Sequence, residues 1–245
     1  MEHTLIEYIN KIRLLPIKNK YTKDEILTKD FLIDKDGSLE IYYAPHNEYI
    51  NKNAKIFIVG ITPGFSQMST AISKARKDIE ENKSIEEIQY DCKVEGRFSG
   101  PLRKNIIQML DEIKLNEALE IDSCEELFND KDYLLHTTSL IPYSVFLKGN
   151  NYTGHSPKLV KSKFLMNYVY ENFKENISKL DDVLIIPLGK AVEEVLEELV
   201  KNKVIKEEQI LKGFPHPSGA NGHRLVQLEE NKDNMINFIK RKFKK

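Results

Sequence analysis

Four short runs of apolar and β-branched residues constrain this chain more than anything else in it: "AKIFIVG" (54–60), "YLLHTTSLI" (133–141), "DVLIIPLG" (182–189) and "EQILKGF" (208–214). Each is bounded by turn residues, and helical patterns separate them: "GPLRKNIIQMLDEI" (100–113), "SPKLVKSKFLMNYVYENFKENI" (156–177) and "KAVEEVLEELVKN" (190–202). Strands joined by helices pair in parallel, because a parallel connection must return through a long crossover that buries one face against the sheet. The expected fold is α/β, a three-layer α/β/α sandwich around a central, mostly parallel four-stranded sheet. Within it, Ser156 is expected to cap a helix with Pro157 at its first position. A last helix is expected through "DNMINFIKRKF".

With 40% hydrophobic residues, the 245-residue chain can build a large core, and a single domain over 1–245 is expected. Residues 1–53 form an extension with a helix and a strand at "LEIYYAP". Residues 66–97 are highly charged and read as a helical excursion over the sheet's C-terminal edge, where ligands of open α/β sheets bind. A formal net charge of −1 means that any basic binding surface is local. The terminal "FIKRKFKK" reads first as a solvated helix end. Cys92 and Cys124 lack the spacing of a metal site or disulfide framework, so no metal or cofactor is expected. The N-terminus is amphipathic with acidic residues, unlike a signal peptide, and no apolar run nears the roughly 18 residues of a membrane span. These features imply a cytoplasmic protein without a membrane partner, and a monomer is expected.

The stretch "GFPHPSGANGHR" (213–224) is unusual. Two prolines hold His216 in a rigid turn, since each fixes its φ and withholds a donor. The small residues that follow let the backbone approach a large partner with its amides free. Three further loops, "GITPGF", "GRFSG" and "HTTS", fall at the same strand edge in this reading. "GITPG" lacks the glycine spacing of a dinucleotide fold and the lysine of a P-loop.

Taken in order, these loops resemble the uracil-DNA glycosylase superfamily. "IFIVGITPGF" is similar to its first motif, a strand ending in Gly-x-(Asp, Asn or Glu)-Pro whose third residue positions the attacking water. "GRFSGPLRKNIIQML" resembles a segment that presents a stacking Phe and opens a helix. "DVLIIPLGKAVEEVL" resembles a strand–Gly–helix unit, and "HPSGAN" resembles the second motif, a His-Pro-Ser loop that enters DNA. The likeness runs from about Ala54 to Arg224 and departs in two places: Thr62 stands at the water-positioning site, and Thr137 stands where relatives read the base with Asn. The cysteines of the iron–sulfur branch are absent.

The resemblance implies a monofunctional DNA glycosylase, with His216 and Thr62 as catalytic residues. Gly60, Ile61, Pro63, Phe65, Phe98 and Thr137 would bind the base. Contacts to single- or double-stranded DNA would come from Ser218, Gly219, Ala220, Asn221, Gly222, His223 and Arg224, joined by Asn151, Tyr152 and His155. Cleaving an N-glycosidic bond builds positive charge on the sugar and negative charge on the departing base. A rigid His216 aimed at a base carbonyl suits that anion. An alcohol stays protonated at neutral pH, so Thr62 can orient water but not act as a base, and Glu95 and Asp91 are the nearby acids to consider. A Thr at position 137 leaves more room than Asn and fewer polar contacts, which favours a modified base over uracil. Alternatives stay open at several positions. Phe98 either stacks on a base or packs under its helix, Thr62 either holds water or its own turn, and His136 reads as a core histidine. A catalytically silent DNA or modified-base binder and a nucleoside or nucleotide hydrolase are the competing functions.

Overall fold

A computed structural model describes residues 3–244. In chain order the regular elements begin with α1 (Leu5–Arg13), α2 (Lys23–Ile26), β1 (Leu32–Asp36), β2 (Leu39–Tyr42), β3 (Ile56–Gly60), α3 (Phe65–Glu80) and α4 (Ile85–Gly96). They continue with α5 (Gly100–Glu112), α6 (Leu115–Leu119), β4 (Leu135–Ser139), β5 (Ser144–Leu147) and β6 (Asn150–Asn151). The last are α7 (Lys163–Lys179), β7 (Leu184–Pro187), α8 (Lys190–Lys201) and α9 (Arg224–Lys242). The fold is mixed α/β with two sheets, and no helix among the described residues is long and apolar enough to cross a membrane. The chain divides into two compact units, each assembled from three segments.

The first unit takes the residues up to Ile50, Ile61–Arg97 and Thr138–Glu175. Its sheet is antiparallel, in the order β1-β2-β5-β6, with Ile41 opposite Val145 and Glu40 opposite Phe146. Tyr8 of α1 stacks on Tyr43 at 3.8 Å between ring centroids. The charged stretch 66–97 is helical as expected and builds the body of this unit. In α3, Met68, Ala71, Ile72, Ala75 and Ile79 recur at helical spacing and are all buried. Helix α4 starts in a capping box, in which the Ser84 side chain accepts from the Glu87 N–H and Glu87 accepts from the Ser84 N–H. It ends at Gly96, where a Cβ would lie 2.9 Å from both Cβ and Cγ of His46. Burial, with the nearby Lys93 charge, pulls the His46 imidazole down to about 3.

The second unit takes Asn51–Gly60, Phe98–Thr137 and the chain from Asn176 onward. Strand β3 pairs in parallel with β7, Ile56 opposite Leu184 and Ile58 opposite Ile186, within the sheet order β4-β3-β7. Helix α8 buries Val192, Val195, Leu196 and Leu199, an i, i+3, i+4, i+7 stripe legible in its sequence. The expected fourth strand at 208–214 does not form. Glu207–Gln209 is a 3-10 turn, and the segment meets β7 at one bridge, Ile185 to Ile210. It then leaves the edge at Gly213, whose φ of +83° ends extended pairing, and Pro215 has no N–H to resume it. The helix expected from Ser156 likewise begins later, at Lys163, behind a 3-10 turn at Leu159–Lys161. Cys92 and Cys124 are buried free thiols.

Candidate functional site

The Pro-flanked histidine lies in the second unit, on the connection from the Ile210 bridge to α9. Pro215 and Pro217 are buried while His216 is exposed, so the turn is anchored on both sides of the ring it presents. Beneath it is Gly189, the residue just before α8 on the short connection from β7. Its N–H donates to the Phe214 carbonyl at 3.1 Å, and its φ is +90°. A Cβ there would lie 2.8 Å from the His216 Cβ and 3.3 Å from the His216 backbone N. This position demands glycine twice, once for conformation and once for space.

The His216 ring is oriented by its own loop, because the Ser218 N–H donates to Nδ1 at 3.2 Å. A neutral imidazole that accepts at Nδ1 carries its proton on Nε2. Around it, Asn221 donates to the His216 carbonyl at 3.1 Å and to Gln227 at 2.9 Å. Asn105 of α5 donates to the Pro217 carbonyl at 2.7 Å. Arg224 reaches back to the Asn221 carbonyl at 3.4 Å and to Asn105 at 3.5 Å, so its guanidinium braces the loop it was expected to extend toward DNA. Gly219, Ala220, Gly222 and His223 are exposed, and a Cβ at Gly219 or Gly222 would meet nothing within 4 Å. The small residues therefore keep clear the space outside the loop, not a close contact within it.

Two base-binding candidates of this unit are enclosed. Phe98 is 7% exposed and packs in the apolar core with Ile106 and Leu127, the packing alternative of its two readings. Thr137 in β4 is 4% exposed, its side chain inside the protein. Its neighbour His136 is the expected core histidine, with Nε2 2.7 Å from the side-chain Oδ1 of Asn176 and its ring 4.9 Å from that of Phe57. Gly60 closes β3.

In the first unit, the loop after Gly60 is built into the antiparallel sheet. The Ile61 carbonyl accepts from Ile141 at 3.1 Å, and Pro63 is buried. The Thr62 hydroxyl donates to the Tyr143 carbonyl at 2.6 Å and accepts from the Val145 N–H at 3.0 Å. Its single proton is committed to the backbone of a distant segment, neither to water nor to its own turn, which were its two readings. Phe65, half-buried at the start of α3, has its N–H held by the Asn151 side chain at 3.0 Å. Tyr152 corrects its expected DNA role. It is 5% exposed, its hydroxyl donates to the Pro157 carbonyl, and burial pushes its phenol well up. His155 and Glu95 are exposed. Asp91 is spoken for, with Lys83 at 2.8 Å and Lys74 at 3.2 Å; partial burial raises its carboxyl but the two lysines outweigh it, leaving it below the usual range.

Gly189 and Asn105 are the site residues that loop-by-loop reading passed over. A glycine between a strand and a helix was the one visible signal for the first. Nothing in "LRKNIIQ" marks Asn105, because its partner is 112 residues away.

No family model matches the chain, and no solved structure matches it. The uncharacterized protein YoxB of Bacillus subtilis (strain 168) is 42% identical to it over 237 residues, 96% of this chain and 92% of YoxB. The chain belongs to the YoxB family. At that coverage the likeness to YoxB runs through both units, including the segments that carry Thr62 and His216.

For this YoxB-family chain the Thr62 geometry makes a direct prediction. Thr62→Val keeps the shape but removes one donor and one acceptor, leaving the Val145 N–H without its partner. It should lower unfolding stability by about 1–3 kcal/mol, read as a fall in the denaturant midpoint at unchanged slope. An unchanged midpoint would return the hydroxyl to the role of water holder.

Proposed function

We propose that this chain is a DNA glycosylase that hydrolyses the N-glycosidic bond of a base held out of the stack, a modified base in preference to uracil. The observation that carries the proposal is His216, an exposed imidazole with Nδ1 engaged by the Ser218 N–H, on a turn anchored by two buried prolines and backed by Gly189. A leaving base departs as an anion, and an Nε2–H donor held in place beforehand stabilises that anion without reorganising. The loop's order, His-Pro-Ser and then small residues, supports DNA as the partner, with the Ser218 hydroxyl and the exposed Gly219, Gly222 and His223 as the groups that would meet phosphates.

In this reading the chemistry is dissociative. The sugar cation forms as the base leaves, water captures it, and the proton it sheds passes to solvent or to the departing base anion, so Thr62 is not asked to remove a proton. Histidine and backbone amides supply what the reaction needs, and the reading calls for no metal or cofactor. The three-layer arrangement, a monomeric state and a cytoplasmic setting belong to the same proposal. One observation favours a second reading, a silent binder of modified DNA: the Thr62 hydroxyl is bound to backbone at the position where water would be held.

The test offers the protein single- and double-stranded oligonucleotides carrying uracil or modified bases, together with natively modified phage DNA, and scores abasic sites by alkaline cleavage. Cleavage at a modified base with little or none at uracil is the expected result. Efficient uracil excision without any preference would overturn the substrate assignment. Retention of modified DNA without any abasic site would favour the silent binder.

A further inference from the structure

The C-terminal basic tract, exposed at the helix end as expected, also borders a groove. In the second unit an open groove of about 940 Å³ runs between the last turns of α9 and the segment 207–212. Its floor is apolar, formed by Ile210, Leu211 and Met235, and half-buried Phe238 lies along it. A second, adjoining recess shares Phe238 and Arg241 with it and adds Lys206. Together the two are lined by six cationic side chains and three carboxylates. Two of each are spent on ion pairs, Lys212 with Glu207 and Lys242 with Asp182. Lys206, Lys240, Arg241 and Lys244 stay exposed, with no carboxylate in ion-pair range among the described residues.

Basic residues in a last helical turn complement the helix dipole, which by itself accounts for Lys240 and Arg241. It does not account for Lys206, which comes from another segment, nor for an apolar floor with the Phe238 ring in the lining of both recesses. We propose that this groove binds single-stranded nucleic acid, with phosphates on Lys206, Lys240, Arg241 and Lys244 and a base against Phe238. Cations that track a backbone beside an aromatic platform are what an unpaired strand requires, because its bases are free to stack on protein. A duplex presents its phosphates but keeps its bases stacked. The inference extends the DNA reading above and rests on it only for the class of partner.

The probe is a fluorescein-labelled single-stranded oligonucleotide of ordinary bases, followed by anisotropy across a salt series. For single strands each phosphate contact contributes about 0.7 to the slope of log affinity against log salt. The variant K240Q/R241Q/K244Q should therefore flatten the slope by about 2 and weaken binding by about 10²-fold near 0.1 M salt. Phe238→Leu keeps the apolar volume and removes the stacking face, so it should weaken binding by about 10-fold with the slope unchanged. Circular dichroism confirms that both variants are folded. Unchanged affinity and slope in the triple variant would overturn the inference, as would tighter binding of an equal-length duplex, an acidic peptide or anionic vesicles. The two proposals fail separately. Strand binding lost in the triple variant supports the groove even if no abasic site ever forms, whereas abasic sites with a silent triple variant leave only the His216 reading.

Discussion

His216→Ala is expected to lower base excision by at least about 10²-fold, the usual loss when one preorganised donor to a developing anion is removed. The ring is exposed and its Nδ1 is held by its own loop, so truncation should leave the fold intact. In the proposed glycosylase reading, binding of the target DNA should change little, because the phosphate contacts proposed for the loop would remain. The loss should thus appear in the rate of the chemical step under single-turnover conditions, with KM or Kd nearly constant. His216→Gln separates charge from donation, since an amide restores a hydrogen-bond donor and should recover part of the rate. Near-normal single-turnover rates in His216→Ala would remove His216 from the chemistry.

Gly189→Ala should be the most damaging small substitution at the site. Its φ of +90° lies where L-residues are strained, at about 1–3 kcal/mol. The new methyl would also sit 2.8 Å from the His216 Cβ, and relieving such overpacking costs a further ~1–3 kcal/mol or moves the loop. Both stability and excision should fall together. A double-mutant cycle distinguishes the two causes. In His216→Gly the clashing atom is gone, so adding Gly189→Ala should cost less than in the parent, the difference measuring contact and the remainder backbone strain. Full additivity would show that Gly189 does not support His216 through packing.

Much of the fold was legible where periodicity is strong. Strands β3 and β7 are continuous apolar runs, as strands buried on both faces must be, and α8 carries its core stripe in "KAVEEVLEELV". The antiparallel sheet was legible only at β2. β1 is mostly polar "LIDKD", and β6 has two residues, so their pairing depends on neighbours brought from elsewhere in the chain. "EQILKGF" failed in the opposite direction. Its apolar residues are buried, but Gly213 turns the backbone away after one bridge, and hydrophobicity alone does not report φ.

At the candidate site, the local chain by itself determined that His216 would stand in a rigid turn, because proline restricts its neighbours wherever it occurs. Residue type also settled that Thr62 has no charge to offer as a base. Only the tertiary structure decided where the polar groups of these residues are spent. The Thr62 hydroxyl meets Tyr143 and Val145 across 81 and 83 residues, the Tyr152 ring is enclosed, and the His216 turn rests on Gly189. A hydroxyl or an aromatic ring has the same chemistry facing solvent or backbone, and which one it faces is set by long-range packing that no local pattern encodes.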